Sequence, residues 1–177
     1  GYNVMIDFLL ARRNFIKNKL PIVGPENENY WSFGDSYIKG AWIMHTLRHV
    51  IDNDSLWWSI LKSFAVENAR SHVNTADFQR HVEARTDENF SYFFDQYFLD
   101  HRPPKLEYSQ DGNKLFYRWA DVIPNFQMPL DVNINGIEKR IYPTAAVQIL
   151  QVPEFPVVIF RNWEFLISVK ENSALGG

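Results

Sequence analysis

The apolar residues of this chain change their period once, near residue 103, and that change limits the folds open to it. Before it they recur at three- and four-residue spacing, the period of a half-buried helix. After it they alternate or run in short β-branched blocks, as strands do. Arg102-Pro103-Pro104 stands at the change. A proline pair cannot continue a helix, because each ring removes a backbone donor and restricts the residue before it. Charge does not shift there: eleven basic and thirteen acidic residues lie before Pro104, and seven and eight after it. With 177 residues, 46% of them hydrophobic, the chain can build the core of one domain or of two small ones.

Five helices are expected in the first part. The first runs over 4–18 with Phe8, Ala11 and Phe15 on its inner face. A loop over 21–33 follows. Asp35 or Ser36 then caps a helix reaching about residue 51, with Gly40, Met44, Leu47 and Ile51 inward. Asp54 opens the third helix, which buries Trp57, Ile60, Leu61 and Phe64. Thr75 caps the fourth, over 76–84, which buries Phe78 and Val82. The fifth, over 88–99, carries Phe90, Phe93, Phe94, Tyr97 and Phe98 and should dock deeply. Seven short strands are expected beyond, near 105–109, 114–119, 127–134, 137–142, 145–152, 157–160 and 163–169. That density fits a small antiparallel sandwich or barrel. Asp111-Gly112 and Asn135-Gly136 signal tight hairpins, since both turns need φ > 0. The tail over 173–177 has no periodic signal and is expected to fray.

Composition removes several function classes. A net charge of −3 gives no general electrostatic grip on nucleic acid or anionic lipid. The absence of cysteine excludes disulfide scaffolds, thiolate nucleophiles and cysteine-based zinc or iron–sulfur sites. Charges interrupt every apolar run, so no membrane-spanning segment is expected, and no basic region precedes a long apolar stretch as in a secretory signal. Neither a glycine-rich phosphate loop nor a Gly-x-Ser-x-Gly elbow occurs.

Two constellations remain. His45 and His49, at i and i+4, share a helix face and could meet one zinc ion. The hydrolytic version of that motif places glutamate directly after the first histidine, and Thr46 stands there, so the pair reads as edge-of-core histidines. Tyr37 lies in the first turn of its helix, beyond a loop containing Gly24, Asn27, Asn29 and Gly34. A phenol so placed can donate to a developing oxyanion. On residue chemistry alone, a tyrosine at a helix start serves packing more often than catalysis. Gly40-Ala41 suggests the close approach of another backbone. The pairs Tyr30-Trp31 and Trp57-Trp58 could bind sugar or peptide, although aromatics at helical spacing are usually core.

Read together, residues 36–49, Ser-Tyr-Ile-Lys-Gly-Ala-Trp-Ile-Met-His-Thr-Leu-Arg-His, resemble the Tyr-x-Lys-Gly-Ala-x-x-x-Leu-His-x-Leu-Arg segment of the aminopeptidase N family of zinc metallopeptidases (gluzincins). Residues 19–25, Lys-Leu-Pro-Ile-Val-Gly-Pro, are similar to the loop before that helix. Asn74-Thr75-Ala76-Asp77-Phe78 through Phe93-Phe94-Asp95-Gln96-Tyr97-Phe98 resembles the end of the family's catalytic domain, and Pro104-Lys105-Leu106-Glu107-Tyr108 the entry to its β-sandwich. The resemblance implies an α+β chain in two domains. An all-helical C-terminal part of a thermolysin-like catalytic domain would span 1–102, and an antiparallel β-sandwich 103–172. It implies that Tyr37 stabilises the oxyanion. The family's H-E-x-x-H zinc site and its Gly-x-Met-Glu-Asn loop are absent from these residues. The chain is therefore expected to be a fragment, inactive alone, of a hydrolase that removes N-terminal residues from peptides. Zinc would be held in the missing N-terminal half of the catalytic domain and none by this chain. The rival expectation is a non-catalytic interaction scaffold derived from such a fold. A face built to meet the missing half, around Tyr30, Trp31, Trp42 and Gly40, should make the chain self-associate.

Overall fold

The computed structural model describes residues 1–25, 28, 30–32 and 34–176. Its helices are α1 (Tyr2–Arg13), α2 (Asp35–Ile51), α3 (Asp54–Glu67), α4 (Thr75–Thr86) and α5 (Ser91–Phe94), the last passing into a π-helical turn, Asp95–Leu99. Asparagines begin two of them. The Asn53 side chain accepts from the Leu56 amide at 3.0 Å. Asn74 and Asp77 exchange bonds in a capping box, so the cap of α4 falls one residue before the expected Thr75. The start of α2 differs again. Gly34 stands before it at φ 83°, and the Ser32 hydroxyl accepts from the Ser36 amide.

Helix α1 turns its expected inner face outward. Ile6 and Leu9 are buried, while Phe8 and Phe15 are 52% and 61% exposed. Both faces of this helix are apolar, so periodicity alone does not choose between them. Arg13 does. Its guanidinium lies on the Ile6 side and donates to the carbonyls of Asn162 (2.5 Å) and Ile167, and more weakly, at 3.5 Å, to that of Phe165. The Trp42 indole fixes the same rotation by donating to the Leu9 carbonyl at 3.2 Å.

Strands β1 (Lys105–Asp111), β2 (Lys114–Ala120), β3 (Leu130–Ile134), β4 (Ile137–Ile141), β5 (Gln148–Gln151), β6 (Val158–Phe160) and β7 (Ser168–Glu171) form two small sheets. Their orders are β5-β2-β1-β7 and β4-β3-β6. The two expected hairpins are present: Gly112 lies at φ 54°, and Asn135 and Gly136 at 52° and 86°. Tyr108 of β1 meets Phe160 of β6 between the sheets, ring centroids 4.8 Å apart. The tail contains one 3-10 turn, Ser173–Gly176.

The expected fold class is corrected here. Helices lie mostly before strands in the chain, but they do not make an all-helical part followed by a sandwich. One contiguous core runs from Leu9 and Trp42 through Phe93 and Tyr97 to Leu106, Leu130 and Ile167. Buried hydrogen bonds cross within it from the helices to the segment before β7. The Tyr97 hydroxyl donates to the Leu166 carbonyl at 3.0 Å, and the Leu166 amide to the Thr46 hydroxyl at 2.8 Å. Arg140 of β4 closes the end of α2 by donating to the carbonyls of His49 and Val50. The strands are not all antiparallel either, since β7 runs parallel to β1. The 161–167 segment is the common floor on which α1, α2 and the π turn rest. Among the described residues, no helix is long and apolar enough to cross a membrane.

Candidate functional site

The start of α2 is held rigidly from beneath. Asp35 is buried and accepts from the backbone amides of Lys17 and Asn18, both at 2.8 Å, which fixes the α1–α2 connection. Lys39, one turn on, is fully buried, and its ammonium donates to the His101 carbonyl at 2.8 Å. Burial holds that ammonium below the usual lysine range, with Asp35 and Asp100 working against it. The two charged side chains thus face inward, each with a hydrogen-bond partner.

Tyr37 is their opposite. It is 75% exposed, and its side chain makes no hydrogen bond among the described residues. Gly40 and the exposed Ala41 lie three and four residues on, on the same helix face. A Cβ built on Gly40 would meet nothing within 4 Å. Nothing in the described chain therefore requires glycine at that position, and the surface beside the phenol is low and open. Gly24, in the loop before α2, is different: a Cβ there would lie 2.1 Å from the Tyr30 ring, whose hydroxyl donates to the Pro21 carbonyl. Asn27 and Asn29 of that loop lie outside the described residues. Of the aromatic pairs, Trp31 and Trp58 are exposed, whereas Trp57 is core. Trp42, expected on the open face, is wholly buried, because its indole is needed under α1.

His45 and His49 sit at the other end of α2, in a network that sequence reasoning missed. The Tyr2 hydroxyl donates to Glu164 Oε1 at 3.1 Å and lies 3.2 Å from His49 Nε2. His49 Nδ1 is 3.8 Å from Glu164 Oε2. The two imidazoles meet edge to face, centroids 4.6 Å apart. Burial, above all, depresses His45 to about 4 and His49 to about 3. It also raises the Glu164 carboxyl, with Arg161 opposing, and pushes the Tyr2 phenol up to about 12. A cleft of about 460 Å³ opens beside this cluster. The one signal in the sequence was Glu164, a carboxylate next to the apolar run Phe165-Leu166-Ile167.

The zinc implied by the resemblance finds no ligand set here. Among the described residues, no three of His, Asp and Glu converge to hold a metal ion. His45 and His49 turn their nitrogens toward Tyr2, Trp163 and Glu164 instead. No protein-family model matches this chain, and no curated protein matches it.

Proposed function

We propose that this chain is the C-terminal part of a zinc-dependent aminopeptidase of the kind it resembles, and that Tyr37 is the residue it brings to the reaction. The parent removes N-terminal residues from peptides. When water adds to the scissile carbonyl, negative charge gathers on the carbonyl oxygen. A phenol O–H held beside that oxygen donates a hydrogen bond that is stronger to the oxyanion than to the neutral carbonyl, and this difference lowers the barrier. In this reading the zinc and its ligands belong to residues outside the chain, as does the site for the substrate's free amine.

One observation supports the reading above the rest. Among the described residues, Tyr37 is the polar side chain at the start of α2 that no hydrogen bond holds, standing over an open Gly40–Ala41 surface where a substrate backbone could lie. A rigid base of buried Asp35 and Lys39 is what a positioned donor needs.

The test uses the full-length natural polypeptide that contains this chain, with an aminoacyl p-nitroanilide as substrate. Tyr37→Phe should lower kcat by about a hundredfold or more and leave KM nearly unchanged, since the lost bond matters chiefly in the transition state. A change within about threefold would remove Tyr37 from the reaction. The present chain alone should show no hydrolysis.

A further inference from the structure

We infer that Tyr2, His45, His49 and Glu164 form an acid-released latch, which pins the first turns of α1 to α2 and to the segment before β7 and lets go when His45 takes up a proton. The inference is independent of the peptidase reading and rests on how these groups are wired.

The Tyr2 hydroxyl has one hydrogen, and it goes to Glu164 Oε1. His49 Nε2 must then donate to the phenol oxygen, which leaves His49 Nδ1 a bare lone pair facing Glu164 Oε2 across 3.8 Å. Glu164 is 2% exposed, and its Oε2 has no hydrogen-bond partner among the described residues. A first proton arriving here has a place to go, on that carboxylate oxygen, whose group burial already raises and which faces the His49 Nδ1 lone pair. His45 offers no such place. Its Nε2 is also buried without a partner, against the rings of Tyr2, Trp42 and His49. Protonation would put an N–H⁺ at Nε2 with no acceptor to receive it, and a buried donor left unpaired is costly.

The surrounding charges do not relieve it. Arg48 on α2 disfavours a second cation, and Asp54 on α3 is already held bidentate by Arg48, both bonds at 2.7 Å. Arg161, in the segment before β7, binds Glu164 and faces Glu138 of β4 at 3.6 Å, and its charge also acts on Asp131 of β3. Tyr2, from α1, is the neutral donor that closes the network. Only a backbone hydrogen bond at Trp163 favours charged His45.

The sign follows from burial. Histidine depressed in the folded state contributes fully above its ordinary value of about 6.5, and the contribution is lost as pH falls toward about 4. With those two values, His45 alone shifts the latched–released equilibrium by about twentyfold between pH 7 and pH 5.

The experiment is hydrogen exchange of the chain as it stands, read by mass spectrometry on segments covering α1 and the β1–β2 hairpin and corrected for intrinsic exchange rates. Protection of the first turns of α1 should fall about twentyfold from pH 7 to pH 5, while the hairpin keeps its protection. His45→Phe keeps an aromatic ring beside Tyr2 and Trp42 but takes up no proton, so over that range its α1 protection should fall at least about tenfold less than that of the wild type, the remaining fall belonging to His49. Flat protection in the wild type, an equal fall in His45→Phe, or simultaneous loss in α1 and the hairpin would each overturn the latch. If His45→Phe does not fold, the wild-type His45 ring followed by NMR decides: a midpoint below about 5.5 supports the latch, and one above it refutes it.

Discussion

Arg13→Met is the substitution that best measures how far this chain is one body. Arg13 stands on α1, yet its guanidinium donates to the carbonyls of Asn162 and Ile167, far along the sequence. Hydrogen bonds from a charged donor contribute about 1.5–3 kcal/mol each. Asn162 is exposed, so water can replace the arginine there. Ile167 is 2% exposed, so its carbonyl would be left stranded. Methionine retains the packing of the stem beside Trp42, over whose ring the guanidinium carbon lies at 4.7 Å. With only the Ile167 bond irreplaceable, the net loss should be about 2–3 kcal/mol, seen in urea as a lower midpoint at unchanged slope. Arg13→Lys, with a point charge in place of a fork, should recover about half of it. If Arg13→Met cost less than about 1 kcal/mol, or if its melt split into separate helical and β transitions, the helices and sheets would not be energetically coupled and the shared-core account would fail.

Other substitutions probe other joints. Thr46→Val strands the buried Leu166 amide, which now donates to the Thr46 hydroxyl at 2.8 Å, and should cost about 1–3 kcal/mol in thermal melting. Gly24→Ala drives a methyl group into the Tyr30 ring and should destabilise by about 1–3 kcal/mol; Tyr30→Ala in the same chain should remove most of that penalty, and strict additivity would show that the two do not touch. Exposed Phe8 of α1 and Phe15 just beyond it should drive self-association, so light scattering should give a mass that rises with concentration in the wild type and stays monomeric in Phe8→Ser, Phe15→Ser; a wild type that is monomeric throughout would refute this.

Local structure was largely legible in the sequence, because it depends on short-range chemistry. The tight turns at Gly112 and Asn135-Gly136 follow from the need for positive φ, and α3 begins at Asp54 as expected. Relations set by distant partners were not. The rotation of α1 is decided by Arg13 and by carbonyls beyond residue 160, which no helical wheel contains. The fifth helix breaks into a short α segment and a π turn, where Gln96 is buried and donates to the Arg102 carbonyl while accepting from the Ile123 amide. Tyr37 was visible as a residue, but its freedom from partners appears only once Asp35 and Lys39 are seen to turn inward. The Tyr2–His49–Glu164 network joins both ends of the chain, and spacing along a sequence carries no trace of it.

The parallel pairing of β7 with β1 also bears on how the chain comes off the ribosome. The first helices emerge long before the segment they rest on: Thr46 waits for Leu166, Arg13 for Ile167, and Tyr97 for Leu166. Until then the surfaces of α1 and α2 that meet residues 161–167, Arg13 and Thr46 among them, stay uncovered. Contacts this far apart in sequence form slowly, after a costly closure of the intervening chain. This stretch of the nascent polypeptide should therefore stay loose until residues 161–171 are free, and a stop codon just before Phe165 should leave a product that proteases clear rather than a smaller folded unit.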